Sequence, residues 1–304
     1  MQKISLLLII LLSIVLAVIA DRYYLSWSKS AENKQLAILK TQAWKQSLSV
    51  ISQEISNFNG EAGIIIKDLQ SNRVISFNGK KPFPSASLAK IPVMAACFQA
   101  SQEGKLKLSD TIKLKQSDKM PESGILKDVI LGKDLTIEDL LEFMIAESDN
   151  TATNILTNKI GLSYLNNYFK RLGLANTNLA RKIADFKSRD RGVENYTTAE
   201  DIAYILEKIY NKSLVSKEIS EKCLRLLKLQ RKNDRIPKYL PAEITVAHKT
   251  GLERSVCHDA GIVFTPKGDF LICVLTKHKN SNSIPSKEFI ARIAMHIYKY
   301  LEKL

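Results

Sequence analysis

The chain has 304 residues, 45% of them hydrophobic, which is enough to bury a full core and too apolar for a chain that stays disordered. Its formal charge of +14 suits anionic surfaces such as membranes or acidic polymers. The basic residues are scattered among acids without interleaved aromatics, so nucleic acid is not the expected partner.

Residues 4–20 (ISLLLIILLSIVLAVIA) carry no charge and end abruptly at Asp21-Arg22. A run apolar on every face at the extreme N-terminus is an export signal or a membrane anchor, and residues 1–22 are assigned to it. Val18-Ile19-Ala20 offers small positions to a signal peptidase, but the run is long for a cleaved signal, and an uncleaved anchor is the preferred reading. Lys3 before the run and Arg22 and Lys29 after it leave the orientation open.

Residues 23–58 lead into the domain, and Leu36, Leu39, Ala43, Leu48, Ile51, Ile55 and Phe58 form the stripe of an amphipathic helix that packs on a sheet. Asn59-Gly60 ends it. Residues 62–68 (AGIIIKD) and 73–77 (RVISF) read as a β-hairpin, and residues 80–84 as a loop with two prolines. Residues 87–102 are helical, with Pro92 in the first turn or at a kink. Thr136 caps a helix, and further helices are expected over 150–159, 162–172, 198–211 and 216–231. Strands return at 243–248, 260–264 and 270–276 around Pro266-Lys267-Gly268-Asp269, and a last helix starts near Ser286. The expected fold is α/β (α+β): one antiparallel sheet built from both chain ends and flanked by the terminal helices. An all-α lobe, about 107–235, is inserted into this domain of residues 59–304.

Four cysteines, Cys97, Cys223, Cys257 and Cys273, lie far apart without CxxC or CxxxH spacing, which points to neither a zinc site nor a disulfide scaffold. No metal or organic cofactor is implied.

Three strings carry the chemistry: Ser87-Leu88-Ala89-Lys90, Ser148-Asp149-Asn150 and Lys249-Thr250-Gly251. A serine opening a helix with a lysine three residues on brings the amine to the hydroxyl on one face. If burial and a second cation, Lys249, lower its pKa, the lysine can take the proton. Each string is weak alone. Ser26-Trp27-Ser28-Lys29 repeats the first beside the apolar run, Ser148-Asp149-Asn150 reads equally as a helix N-cap, and Lys249-Thr250-Gly251 as an ordinary strand exit.

In this order, the triple resembles the class A β-lactamases and penicillin-binding proteins. The similarity extends over most of residues 60–277, including Ala146-Glu147-Ser148-Asp149-Asn150-Thr151-Ala152-Thr153-Asn154, Leu172-Gly173-Leu174 and Thr197-Thr198-Ala199, which looks like the start of the helix after the family's Ω-loop. The resemblance implies a β-lactamase/transpeptidase-like fold and a serine hydrolase that opens β-lactam amides through a Ser87 acyl-enzyme. It gives catalytic roles to Ser87, Lys90 and Ser148 and substrate-binding roles to Asn150, Lys249, Thr250 and Gly251. It also gives Leu252 an oxyanion-hole N–H beside that of Ser87 and makes Arg235 a partner for the substrate carboxylate.

One departure stands out. The family's Ω-loop Glu-x-x-Leu-Asn is absent, and Glu194 comes too late in the loop to replace it. Asp185 stands nearer the expected place, one methylene short, and is the candidate for activating the deacylating water.

His258-Asp259 is read as stabilising the start of the next strand rather than as part of a Ser-His-Asp triad, and Gly-x-Ser-x-Gly is missing. The alternatives are a D-alanyl-D-alanine peptidase and a non-catalytic wall-binding module. The partners expected are a β-lactam or D-alanyl peptide and, through the N-terminal segment, a membrane on the extracytoplasmic side.

Overall fold

The computed structural model describes residues 2–120, 122–279 and 282–302, with side chains at all of these except 2–12, 14, 15, 33, 36 and 37. Its first helix, α1 (Gln2–Asn57), is uninterrupted, so residue 22 marks a change of composition within a helix. Among the described residues no helix is long and apolar enough to cross a membrane. Most side chains of the apolar run at 4–20 lie outside the described set.

The helix joins the core late. Trp44, Ser47, Ile51 and Ile55, spaced by three or four, together with Phe58 just beyond the helix, face the protein. Leu48 is about 60° round the axis from Ile51, and Leu39 lies before the covered length; both are exposed. Arg73 grips the helix where it leaves the domain, donating to Lys40 O and Thr41 Oγ1, both at 2.8 Å.

Next come β1 (Gly60–Asp68), β2 (Val74–Phe77), β3 (Phe83–Pro84), a 3-10 turn (Ala86–Ala89) and α2 (Lys90–Gln102). The lobe contains β4 (Thr111–Lys113), β5 (Asp134–Thr136), α3 (Ile137–Ala146), α4 (Asn150–Ile160), α5 (Leu162–Leu172), α6 (Phe186–Asp190), β6 (Tyr196–Thr197), α7 (Ala199–Tyr210) and α8 (Lys217–Lys228). It is therefore not wholly helical: β4 pairs with β5, and β6 pairs with β3 beside the 3-10 turn that carries Ser87. The expected Thr136 cap is present, accepting from Asp139 N at 3.0 Å. After a 3-10 turn (Ile236–Tyr239), the chain closes with β7 (Thr245–Glu253), β8 (Val256–Phe264), β9 (Phe270–His278) and α9 (Ile284–Glu302).

The five-stranded sheet has the order β2-β1-β9-β8-β7 and is antiparallel throughout. Period-two alternation divides its side chains between two cores. Ile64, Ile66, Ile272 and Val274 meet Ile51, Phe289, Ile293 and Ile297 of α1 and α9, while Ile65, Ala260, Ile262 and Cys273 meet the lobe. Because both faces are buried, these strands read as continuous apolar runs. Phe58 stacks on Phe289 with ring centroids 4.4 Å apart.

β7 is an edge strand and runs further than its apolar residues suggested. Lys249, Thr250 and Gly251 lie inside it, paired with Ala260, Asp259 and His258 of β8. Likewise β8 begins before His258, which sits within the strand rather than at its start.

Candidate active site

A cavity of about 320 Å³ opens between the lobe and the β7 edge. Ser87, Ser148, Asn150, Thr250, Leu252 and Arg235 are among its lining residues.

Ser87 lies in the 3-10 turn and Lys90 is the first residue of α2. In a 3-10 turn residues i and i+3 eclipse, so Lys90 Nζ comes within 3.1 Å of Ser87 Oγ. Pro92, at the third position of α2, needs no intrahelical partner for its missing N–H. Lys90 is fully buried, and burial pushes its pKa down to about 7 against the opposing charges of Asp149 and Glu253. Its amine also meets Ser148 O at 2.6 Å, Ser148 Oγ at 3.1 Å and Asn150 Oδ1 at 2.8 Å.

Ser148 joins two amines. Lys249 Nζ lies 3.0 Å from the same hydroxyl and 3.0 Å from Thr250 O. Burial first, then the charge of Lys90, holds the Lys249 pKa well below the ordinary lysine value. Two adjacent buried amines disfavour double protonation, and with its pKa at about 7 Lys90 is neutral in part at neutral pH. Ser148 adopts φ = +56°, in the left-handed region, at the bend between α3 and α4.

Asp149, between the two polar site residues, does structural work. It caps α4 through Ala152 N and holds the loop before it through Leu126 N, each at 2.8 Å. The N-cap reading of this string therefore holds for Asp149, while Ser148 and Asn150 on either side of it line the cavity. Gly251 gives β7 room beside the turn that carries Ser87: a Cβ there would meet His258 Cδ2 at 3.2 Å and Ala86 Cβ at 3.4 Å.

His258 makes no catalytic triad. Its Nδ1 accepts from Thr276 N at 3.1 Å and its Nε2 lies 2.8 Å from Pro84 O. Burial lowers its pKa to about 4, so it stays neutral and ties β8 to the loop before Ser87.

Asp185 is directed elsewhere than the Ω-loop comparison suggested. Its carboxylate caps α6, accepting from Ser188 N at 3.0 Å, and the hydrogen bonds from Ser188 hold its pKa below the usual value. The cavity is lined instead by its neighbours Ile183, Ala184 and Phe186, because Ala184, at φ = +60°, turns the chain just before it. Glu194 is occupied by Arg181, whose Nη2 donates at 2.6 Å and Nε at 3.1 Å.

Arg235 is 3% exposed, and its Nε donates to Cys257 Sγ at 3.2 Å. It is not a solvated surface cation. All four cysteines are buried free thiols, and among the described residues no cluster of His, Cys, Asp and Glu could hold a metal ion.

Sequence reasoning missed the residues that shape the loop facing Ser87. Asn154 pairs with both backbone groups of Ile183 at 3.0 Å. Asn195 Oδ1 receives Ala180 N and Arg181 N, while Asn195 O receives Ser85 N two residues before Ser87. These are single asparagines acting across 14 or more residues, with no local pattern to betray them.

Residues 45–301 match the model of the β-lactamase enzyme family. The chain belongs to that family. The β-lactamase VEB-1 of Pseudomonas aeruginosa is 26% identical over 260 residues, 80% of this chain and 86% of VEB-1. Among solved structures, a β-lactamase from Sphaerobacter thermophilus is 30% identical with a TM-score of 0.78, covering 86% of this chain and 98% of that one. PBP-A is 29% identical at the same TM-score, covering 85% and 97%. A PBP-A variant, solved as an acyl-enzyme complex with penicillin G, is 28% identical with a TM-score of 0.77, covering 87% and 97%. Family membership and fold thus rest on sequence and structure together.

Proposed function

We propose that the protein is a serine hydrolase that opens β-lactam or D-alanyl amides through an acyl-enzyme on Ser87. The observation that carries this reading is the buried Lys90 amine, 3.1 Å from Ser87 Oγ with its pKa near 7. Neutral Lys90 takes the hydroxyl proton as Oγ bonds to the carbonyl carbon. The oxyanion is held by the N–H groups of Ser87 and Leu252. Collapse breaks the C–N bond, and the leaving nitrogen receives a proton through Ser148, which touches both amines. Arg235 and Thr250 receive the donor's carboxylate.

Release is the slow step in this reading, which favours a penicillin-binding D-alanyl-D-alanine peptidase over a rapid lactamase. Ile183 and Ala184 line the cavity where the Ω-loop comparison called for a water-activating carboxylate, and Asp185 caps α6 instead. The test is an intact-mass time course of the full-length protein with penicillin G. A single adduct that outlasts many minutes supports the slow-release peptidase; one cleared within seconds overturns that choice and leaves a working lactamase.

We also propose that the N-terminal run holds the enzyme to a membrane with the domain on the extracytoplasmic side. Exposed Tyr23, Tyr24 and Trp27 follow the apolar run on the same helix, as residues of a membrane interface do. Recovery of the protein in the soluble fraction of disrupted cells would refute this.

A further inference from the structure

We infer that His248 and Asp259, on the sheet face opposite Lys249, are positioning residues that set Arg235 as the carboxylate anchor of the cavity. The inference rests on the acyl-enzyme reading above and adds the device that aims one of its binding groups.

Alternation along β7 sends Lys249 towards Ser148 and its neighbour His248 to the other face. There His248 is 1% exposed and lies across β8 at Gly261, where a Cβ would stand 2.4 Å from His248 Cβ. Only glycine lets β8 come this close to the β7 backbone at Ala247 and His248. Its Nδ1 is 2.9 and 3.1 Å from the two carboxylate oxygens of Asp259, which is fully buried.

This pair reaches the chain on both sides of Arg235. Asp259 Oδ2 accepts the backbone N–H of Ile236 at 3.0 Å, and His248 Nε2 lies 3.4 Å from Asn233 Oδ1. Between these two fixings Arg235 has φ = −135° and ψ = −107°, outside the regular backbone regions, a conformation that persists where its surroundings impose it. Its guanidinium is then carried to Cys257 Sγ, on the same face of β8 as Asp259, with Nη1 3.2 Å from Asp234 Oδ1, and Arg235 lines the cavity along with Thr250. Asp259 also supplies buried negative charge beside both Arg235 and Lys249. An apolar pair would serve packing at least as well. It could not hold Ile236 N–H or reach Asn233.

The experiment measures acylation of the full-length protein by penicillin G and by its methyl ester, which lacks the anionic carboxylate. Wild type is expected to need roughly tenfold or more ester for half-maximal rate, the scale of one charged hydrogen bond, with similar maximal rates. Asp259→Asn is expected to lose this discrimination by weakening use of the free acid alone. Arg235→Ala is expected to do the same, and the double variant no more than Arg235→Ala. His248→Gln, which keeps one donor for Asp259, should retain more discrimination than His248→Ala, and the two histidine variants carry the test if Asp259→Asn does not fold. Equal loss with acid and ester, losses that add in the double variant, or a wild type indifferent to esterification would each overturn the inference. Absence of a Ser87 adduct with either donor would instead overturn the acyl-enzyme reading on which it rests.

Discussion

Replacing Ser87 by alanine is expected to abolish the covalent penicillin adduct while leaving the fold intact. Ser87 is partly exposed to the cavity, whereas the turn that carries it is held by Leu88 N to Ser85 O at 3.0 Å and by buried Ala86, Leu88 and Ala89. None of these contacts uses the hydroxyl. The Ser26-to-Lys29 string provides an internal control, because Ser26 is exposed on α1 and does not line the cavity. Ser26→Ala should therefore be acylated like wild type. Mass spectrometry of both variants checks the pair, and an undiminished adduct on Ser87→Ala would remove the proposed nucleophile.

The second large effect is expected at Lys90. Lys90→Met keeps the length of the side chain but removes the base, and acylation should fall by about 10²–10⁴-fold, the usual contribution of a positioned general base. The sign of the pH effect follows from the lowered pKa. In the proposed reaction Lys90 acts as the base in its neutral form, so wild-type acylation should rise with pH and level off above about 7. In Lys90→Met that rise should vanish, as stopped-flow acylation across pH 5.5–9, roughly centred on that titration, would reveal. The same change deprives Ser148 and Asn150 of a buried donor. A stability loss of about 1–3 kcal/mol is expected with it, to be measured separately so that unfolding is not mistaken for lost chemistry.

How much of this was legible in the sequence depends on how far apart the cooperating residues lie. Ser87 and Lys90 are three residues apart, and spacing alone puts them together; Thr136 caps within three residues and was equally readable. β7 was read short because Lys249, Thr250 and Gly251 interrupt its apolar pattern, although backbone pairing with β8 carries the strand on to Glu253. Polar residues inside a ladder look like a turn until the partner strand is known. Asp185 shows a different limit. Its position in the chain was close to that of a water-activating group, but side-chain direction depends on the left-handed turn at Ala184, and nothing local announces that conformation for an alanine. The bracing of Arg235 by His248 and Asp259 draws on three separate segments, so it emerges only from the fold.

The place of β7 at the sheet edge has one more consequence. An edge strand presents unpaired N–H and C=O groups that can recognise an extended substrate chain and, equally, a strand from another molecule. A protein that works through such an edge carries an aggregation hazard it cannot remove by pairing the strand. Here α8 packs against β7, while the cavity walls at Glu122, Ser123, Ile183 and Phe186 stand around its Thr250 to Glu253 end. A change that opened those walls would cost solubility before it cost the fold.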